Sequence, residues 1–323
     1  MAAPVRRSAV AGSRVSAAVK GNMRVIITGG SGLIGRITTD LLASAGHEVV
    51  VLSRTPDKLT ARGLPHGARA QGWDAKSGEG WSELVNANAV IVNLAGENLA
   101  HWRWTKKHKE KVVESRMAAA RAVVDAIRRS RRTPRLVLQA SAVGYYGNRG
   151  DDELAESSPA GEGFLAELCK QWEKAIPVAV PGRRAFLRLG VVLSRRGGAF
   201  PPMLWASRFG VSRMGPGQQW LPWVHEDDVA SAIRFLMLND TISGPFNIVA
   251  PESVTFREFF KTLSRVRHMP ALLPVPGFAL KLGMGEMAKA MLDSQRVVPR
   301  KLIDAGFEFR YDSVEEALRQ LMR

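Results

Sequence analysis

The chain has 323 residues, 46% of them hydrophobic and 24% charged, which is typical of a globular protein with one large α/β domain and a smaller appended region. No apolar run is long enough to cross a membrane, and the single cysteine, Cys169, excludes an intrachain disulfide and any cysteine-based metal site. The formal net charge of +16 fits either solvated basic clusters or attraction to an anionic ligand or membrane surface, but no nucleic-acid-binding motif surrounds those clusters.

Residues 1–22 are rich in alanine, serine and basic residues and contain no acidic residue. This composition predicts either an organellar transit peptide, for the chloroplast stroma or the mitochondrial matrix, or a disordered extension before a second start at Met23. A start at Met23 predicts a cytoplasmic protein. We therefore place residues 1–22 outside the folded part of the chain.

From Met23 onward, apolar segments with strand and helix periodicity alternate along the chain. This alternation predicts an α/β fold, a parallel sheet covered by helices on both faces, in which ligands bind beyond the carboxyl ends of the strands. The predicted strands cover residues 25–28, 48–52, 89–94, 136–140 and 185–193, and the predicted helices begin at Leu33 and cover 106–129 and 164–175.

Glycine and proline become frequent after residue 197, and the regular alternation ends there. The patterns Thr255-x-x-Glu258 and Ser313-x-x-Glu316 each predict a capping box at the start of a helix. We expect residues 197–323 to form a smaller α/β region that closes over the open face of the sheet.

The most informative segment, residues 25–35, reads VIITGGSGLIG and joins a β-branched strand to a helix. Its glycines follow the spacing G-x-x-G-x-x-G, which lets the backbone approach a pyrophosphate at the N-terminus of the helix. Small residues also follow the predicted strand at 89–94, where a backbone must approach the same ligand. We therefore expect a dinucleotide to contact Thr28, Gly29, Gly30, Ser31, Gly32, Leu33, Ile34 and Gly35 at the loop, and Asn93, Leu94, Ala95 and Gly96 beyond that strand.

The end of the second predicted strand indicates which dinucleotide is bound. An acidic residue there would bind the ribose 2′-hydroxyl of NAD, but this chain has Ser53 and Arg54. A guanidinium group suits a 2′-phosphate, so we favour NADP(H) over NAD(H), although Arg54 also fits an exposed turn. Asp74 fits two roles equally, a contact to the adenine amino group or a turn residue.

Taken together, these residues resemble the short-chain dehydrogenase/reductase superfamily in its extended, epimerase-like form. Over residues 23–322 the chain is similar to one group in it, whose bacterial members are often named sugar-nucleotide epimerases and in some cases cell division inhibitors. The resemblance implies a Rossmann-type doubly wound sheet over residues 23–196 that binds NADP(H), also through Ser115 and Ser141, and a substrate-side region over residues 197–323. The motifs that carry it are Asn93-Leu94-Ala95-Gly96-Glu97-Asn98, Arg103-Trp104-Thr105, Ser115-Arg116, Ser141 with Gly144-Tyr145-Tyr146-Gly147, Pro222-Trp223-Val224-His225, Leu273-Pro274-Val275-Pro276 and Ser294-Gln295-Arg296-Val297.

In that superfamily, a tyrosine acts as general base, a lysine four residues later lowers its pKa, and a serine binds the reacting carbonyl. The resemblance makes Ser141 the serine candidate. The helix predicted at 164–175, however, contains no tyrosine and places Leu165 and Cys169 where the tyrosine and lysine are expected. An apolar pair cannot move a proton, so we assign no catalytic role to those two residues.

Three residues outside that helix are candidate substitutes for the missing proton donor. Tyr145 and Tyr146 follow Ser141 closely, and His225 lies in a Val-His-x-x-Asp segment whose counterparts in the superfamily border the substrate pocket. Structural roles stay open as well, with Ser141 as a strand-end hydroxyl and His225 as a buried histidine bonded to the backbone.

Two functions fit the sequence. The first is an NADP(H)-dependent oxidoreductase or epimerase that transfers a hydride on a carbonyl or alcohol substrate of unknown identity near Ser141. The second is an NADP(H)-binding structural or regulatory protein that acts through a partner. We expect no metal, and a homodimer stays open as an oligomeric state.

Overall fold

A computed structural model describes residues 22–99, 104–180 and 182–323. The segment expected to be a transit peptide or an extension lies outside the described residues, apart from Asn22, and so does Arg103 of the motif Arg103-Trp104-Thr105. The expectation for residues 1–22 therefore stays a prediction.

The strands of the described residues form one large parallel sheet and several two-stranded pairs. They are β1 (Arg24–Thr28), β2 (Glu48–Ser53), β3 (Ala68–Gly72), β4 (Ala89–Asn93), β5 (Leu136–Ala142), β6 (Glu153–Leu154), β7 (Arg183–Leu189), β8 (Val191–Leu193), β9 (Val211–Met214), β10 (Trp220–Leu221), β11 (Trp223–His225), β12 (Gly244–Ile248), β13 (Val254–Thr255), β14 (Leu273–Val275) and β15 (Arg296–Val297).

The helices connect these strands and, near the C-terminus, follow one another. They are α1 (Leu33–Ser44), α2 (Pro56–Ala61), α3 (Lys106–Arg129), α4 (Phe164–Lys174), α5 (Phe200–Arg208), α6 (Glu226–Leu238), α7 (Phe256–Val266), α8 (Gly277–Met284), α9 (Met287–Leu292), α10 (Arg300–Asp304) and α11 (Val314–Met322), with short 3₁₀ turns at Ser82–Leu84 and Val143–Tyr146.

The large sheet has the strand order β3-β2-β1-β4-β5-β7-β12, and every neighbouring pair is parallel. Thr28 at the end of β1 lies in register with Leu52 of β2 and Asn93 of β4, so the carboxyl ends of these strands meet at one edge. This is the order of a Rossmann-type sheet, and the predicted fold class is confirmed.

Both faces of the sheet are buried, which explains why its strands read as continuous apolar runs. Val25 and Ile27 of β1 belong to the core that contains α1 and α6, whereas Ile26 between them belongs to the core that contains α3. This alternation of side chains along each strand later decides which residues of β5 can face a ligand.

The region after residue 197 adds a strand to the large sheet and also forms a core of its own. Strand β12 pairs with β7, and α6 packs against α1. The remaining elements enclose a second core, in which Phe200 of α5, Phe259 of α7 and Leu318 of α11 are buried. Residues 197–323 therefore share the sheet with residues 23–196 as well as building the smaller α/β region.

The prediction of a single strand over 185–193 is wrong, because the strand is interrupted at Gly190. Strand β7 ends at Leu189, and β8 leaves the large sheet to pair with β11. A Cβ atom on Gly190 would lie 2.5 Å from the carbonyl oxygen of Pro222, so only glycine allows the two backbones to approach this closely.

One of the two predicted capping boxes is also wrong. Thr255 and Glu258 form the predicted box at the start of α7, with the side chain of each accepting from the backbone amide of the other. At α11, by contrast, the side chain of Ser313 makes no capping bond. Glu252 Oε2 accepts the bond from Val314 N instead, at 2.5 Å, so a distant carboxylate replaces the local cap.

The packing of the glycine loop on α1 predicts a large effect for Gly35→Ala. The added Cβ would lie 2.4 Å from Gly29 O and 2.5 Å from the Cα of Gly30, and both are backbone atoms that cannot move aside. We expect a loss of about 1–3 kcal/mol in the free energy of unfolding, because overpacking outweighs the better helix propensity of alanine. Urea denaturation measures this change.

Gly197→Ala is the matched control, since no atom lies within 4 Å of its added Cβ. We expect this variant to unfold at the same urea concentration as the parent protein or slightly above it. Equal stability of the two variants would contradict the close packing of the loop.

Candidate functional site

The glycine loop between β1 and α1 is pressed against the chain that follows β4. Gly29 has a φ of +68°, and a Cβ on it would lie 2.8 Å from the carbonyl carbon of Leu94. Gly32 precedes α1 in an extended conformation, and no side chain caps the first amides of the helix. A backbone cradle with an uncapped helix N-terminus fits a dinucleotide pyrophosphate.

Buried polar side chains fix the ends of the three central strands beneath this cradle. Thr28 Oγ1 donates to Asn93 Oδ1 at 2.5 Å and accepts from Ala95 N at 3.2 Å. Asn93 Nδ2 donates to Gln139 Oε1 at 2.8 Å. Thr28 and Asn93 thereby hold the chain from Leu94 onward close to the loop.

The segment after β4 is held by α3. Ser115 Oγ accepts from Glu97 N at 2.9 Å, and the guanidinium of Arg116 donates to Glu97 O at 3.0 Å. Arg116 is buried against the ring of Trp172, 4.7 Å away, and burial lowers its pKa to about 10. A Cβ on Gly96 would lie 2.9 Å from the guanidinium carbon of Arg116, so a larger residue here would displace that side chain.

The residues predicted to bind the adenosine end lie at the ends of β2 and β3. Arg54 is exposed, and Ser53 Oγ accepts from Thr55 N at 3.1 Å. Asp74 Oδ1 accepts from the backbone amides of Lys76 and Ser77 at 2.7 and 2.8 Å, and these bonds lower the pKa of the carboxyl group. Asp74 thus forms a turn, while its contact with adenine stays a prediction.

A cavity of about 710 Å³ lies between the carboxyl end of the sheet and the C-terminal helices. Its wall includes Ala142 and Leu189 at the ends of β5 and β7, Leu165 in α4, and Met284 and Met287 around α8 and α9. This size suits a small-molecule ligand. Within the described residues, none of its lining side chains is a tyrosine, histidine, serine or threonine.

Ser141 does not line this cavity, because alternation along β5 turns its neighbour Ala142 toward it instead. Ser141 Oγ donates to Glu173 Oε1 at 2.8 Å, on the other side of the strand. Glu173 also accepts two hydrogen bonds from Arg188, at 2.8 and 3.0 Å. The hydroxyl of Ser141 is therefore hydrogen-bonded to a buried ion pair.

Tyr146 belongs to the same network. Its hydroxyl donates to Asn247 Oδ1 at 2.7 Å and accepts from the guanidinium of Arg188 at 2.9 Å. Tyr146 is fully buried, and burial raises its pKa. The ring of Tyr145 stacks on Arg188, with 3.5 Å between the guanidinium carbon and the ring centre.

His225 lies at the start of α6, away from the cavity lining. Its Nδ1 accepts from Asp227 N at 3.1 Å, its Nε2 lies 2.9 Å from Gln320 Oε1, and its ring packs on Tyr311. The structure thus places Ser141, Tyr145 and Tyr146 around Arg188 and keeps His225 apart from them. Their catalytic roles stay predictions.

The two positions where the superfamily has its tyrosine and lysine differ in exposure to the cavity. Leu165 lines the cavity. Cys169 is buried one turn further along α4, with its thiol 3.5 Å from Ala142 O, and burial raises its pKa to about 11. Leu165 has no ionisable group, and the thiol of Cys169 stays protonated outside the cavity lining.

The ionisable residues that line the cavity are not among those predicted from the sequence. Lys109 of α3 and Glu286 before α9 form a salt bridge of 2.7 Å across it. Lys289 and Asp293 lie four residues apart, and burial raises the pKa of Asp293. The i,i+4 spacing of these two residues was the signal in the sequence, but nothing there indicated which face of α9 would meet the sheet.

A metal site and a membrane-spanning helix are both absent from the part of the chain that the structure describes. No group of three or more His, Cys, Asp or Glu side chains there is placed to hold a metal ion. No helix in that part combines the length and the apolar character needed to cross a membrane.

Comparisons with known proteins agree with this geometry. A model of the NAD dependent epimerase/dehydratase family matches residues 25–164, and a model of a domain of unknown function, DUF1731, matches residues 275–321. The epimerase family protein YfhF of Bacillus subtilis is 36% identical over 304 residues, which cover 93% of this chain and 98% of that protein.

Two further relatives add a compartment and a cofactor. A chloroplastic epimerase family protein of Arabidopsis thaliana, an SDR39U1 homolog, is 36% identical over 309 residues, 93% of this chain and 87% of its own. The crystal structure of human epimerase family protein SDR39U1 (isoform 2) with NADPH has a TM-score of 0.82 at 32% identity and covers 93% of this chain and 99% of that one. Because relatives of this identity span nearly the whole chain, the protein belongs to the NAD-dependent epimerase/dehydratase family, among the epimerase family proteins with a C-terminal DUF1731.

Proposed function

We propose that this protein is an NADP(H)-dependent oxidoreductase that acts on a carbonyl or alcohol group held in the cavity. The observation that carries the proposal is the continuity between the glycine cradle and the cavity. Gly198 lines the cavity, and a Cβ on it would lie 3.4 Å from Leu33 Cδ2 in the first turn of α1. A dinucleotide laid across the cradle would therefore reach the cavity with its nicotinamide end.

The human relative crystallised with NADPH supports the choice of cofactor. When bound, the reduced nicotinamide supplies a hydride to a carbonyl carbon, so that NADPH, a proton and a ketone become NADP⁺ and an alcohol. The protein must position the carbonyl group and deliver the proton to its oxygen.

Lys289 is the residue that we propose as the proton donor. Its Nζ lies 3.8 Å from the position that a Cβ on Gly163 would take, immediately before α4. Leu165, in the first turn of that helix, lines the same cavity. An ammonium group from the C-terminal region therefore lies close to where the superfamily's tyrosine is expected.

Arg54→Ala tests the cofactor assignment. We expect the Kd for NADPH to rise roughly ten- to hundredfold, because a charge-assisted contact to the 2′-phosphate is lost, and the Kd for NADH to stay unchanged. Titration of nucleotide fluorescence measures both constants. Arg62→Ala, a variant of another exposed arginine after α2, is the control, and an equal effect of the two variants would overturn the assignment.

Lys289→Met tests the proton donor. We expect kcat to fall about 10²- to 10⁴-fold, while the Kd for NADPH stays the same, because the lost group moves a proton and does not bind the cofactor. Loss of NADPH absorbance with a panel of ketones, quinones and sugar nucleotides measures turnover. Lys281→Met, on the exposed part of α8, should keep full activity. Full activity of Lys289→Met would exclude this role.

A second function is favoured by the hydrogen bonds of Ser141 and Tyr146. Both hydroxyls are hydrogen-bonded to the Glu173–Arg188 ion pair, Leu165 has no ionisable group, and the buried Cys169 does not line the cavity. A protein that keeps the cofactor as a structural or regulatory ligand has these properties. It would be stabilised against heat by NADPH through mass action and would turn over no substrate in the panel, whereas measurable turnover would exclude it.

The compartment is a proposal that depends on residues 1–22. We propose a cytoplasmic location for a chain that starts at Met23, and import into an organelle for one that carries residues 1–22. The Arabidopsis relative is described as chloroplastic. Imaging of two fluorescent fusions, one with residues 1–22 and one that starts at Met23, would distinguish the two, and identical distributions would exclude a targeting role.

A further inference from the structure

We propose that the cavity binds an uncharged carbonyl compound with an apolar body and does not bind a nucleoside-diphosphate sugar. This inference rests on the proposed oxidoreductase function and names its substrate class. The first observation is the chemistry of the wall. Five of the methionines in the described residues line it, together with Trp104, Phe164 and Trp220.

The hydrogen-bonding groups of the wall are largely used within the protein. Trp104 Nε1 donates to Leu99 O, and Trp220 Nε1 donates to Asp151 Oδ1, each at 2.9 Å. Gln295 Nε2 donates to Gly147 O at 3.0 Å. A sugar ring would bury several hydroxyls against this wall, and each hydroxyl without a partner would oppose binding.

The charges of the wall oppose a diphosphate. Lys109 is paired with Glu286, and Lys289 lies on the same helical face as Asp293. Glu162 adds a further negative charge, so the acidic side chains outnumber the lysines. Within the described residues, no arginine lines the cavity, whereas recognition of a diphosphate favours a guanidinium fork.

One strand arginine beside the cavity, Arg213, lies on the other side of β9. Met214 lines the cavity, and Arg213, its neighbour in the strand, borders a separate surface pocket of about 330 Å³ with Arg257. Because side chains alternate along a strand, Arg213 cannot reach the cavity without a change of register. Arg213 therefore does not supply the cavity with a cation for a diphosphate.

The methionines of the wall also indicate that the cavity accepts ligands of different shapes. Its unbranched thioether adapts to ligands of irregular shape, and Met284, Met287 and Met291 come from a single stretch around α9. Such a wall selects for apolar character more than for shape. Lys109 and Glu286 are paired with each other, and we place the carbonyl oxygen of the ligand beside Lys289 and Asp293.

The test uses the full chain with NADP⁺ bound, so that ligands bind without being reduced. Benzophenone and 2-undecanone are the apolar probes, and UDP-glucose is the polar one. Tryptophan fluorescence reports binding, since Trp104 and Trp220 line the cavity, and a thermal shift confirms it independently. We expect both ketones to saturate the signal and UDP-glucose to leave it unchanged.

Met287→Gln is the matched variant, because glutamine has a similar length and brings an amide into the wall. We expect it to weaken ketone binding about five- to tenfold without changing the Kd for NADP⁺. Met269→Gln changes a residue outside the cavity lining and should bind the ketones and NADP⁺ as tightly as the parent protein does.

Failure to bind NADP⁺ would overturn the proposed function. Normal NADP⁺ binding with saturable binding of UDP-glucose, or with no binding of either ketone, would overturn the substrate class alone. Unaltered ketone binding by Met287→Gln would also overturn it, because the wall would then not be the binding surface.

Discussion

The ion pair between Arg188 of β7 and Glu173 of α4 organises the centre of the molecule. Both side chains are nearly inaccessible to solvent, at 4% and 12% exposure, and two parallel hydrogen bonds join them. Burial lowers the pKa of Arg188, but the hydrogen bonds and charge of Glu173, together with the hydrogen bond to Tyr146, outweigh burial and raise it. A buried guanidinium with this many partners fixes the elements that supply them.

The partners of this pair come from three elements of the chain. Ser141 brings β5, Tyr146 brings the 3₁₀ turn that follows, and Asn247, which accepts from Tyr146, brings β12. Removing Glu173 or Arg188 would leave an uncompensated buried charge that costs about 3–5 kcal/mol. The hydroxyls of Ser141 and Tyr146 are hydrogen-bonded to this pair, so they have a structural reason to be present whether or not they take part in a reaction. Because the pair holds Ser141 on one side of β5, alternation places Ala142 on the other side, facing the cavity.

The sequence was sufficient wherever structure depends on local chemistry. A few neighbouring residues determine each of three features: the loop with glycines at 29, 32 and 35, the apolar strands, and the helix over 106–129. The fold class follows from the alternation of strands and helices. The break at Gly190 and the cap from Glu252 to Val314 depend on residues that are distant in the sequence, so no local pattern could predict them. The same limit applies to Ser141, whose orientation depends on Glu173 and Arg188.

The two halves of the site differ in how much of their chemistry a sequence can carry. The cofactor cradle is made of backbone, and close approaches of 2.4 to 2.8 Å admit only glycine at Gly29 and Gly35, so each position has one solution. The cavity wall consists largely of methionine, leucine and aromatic side chains. Such side chains occur in every protein core, so they indicate a binding site only where the structure shows that they enclose a space. This wall therefore stays hidden in the sequence: its apolar side chains form no motif, and its ionisable residues come from separate segments of the chain.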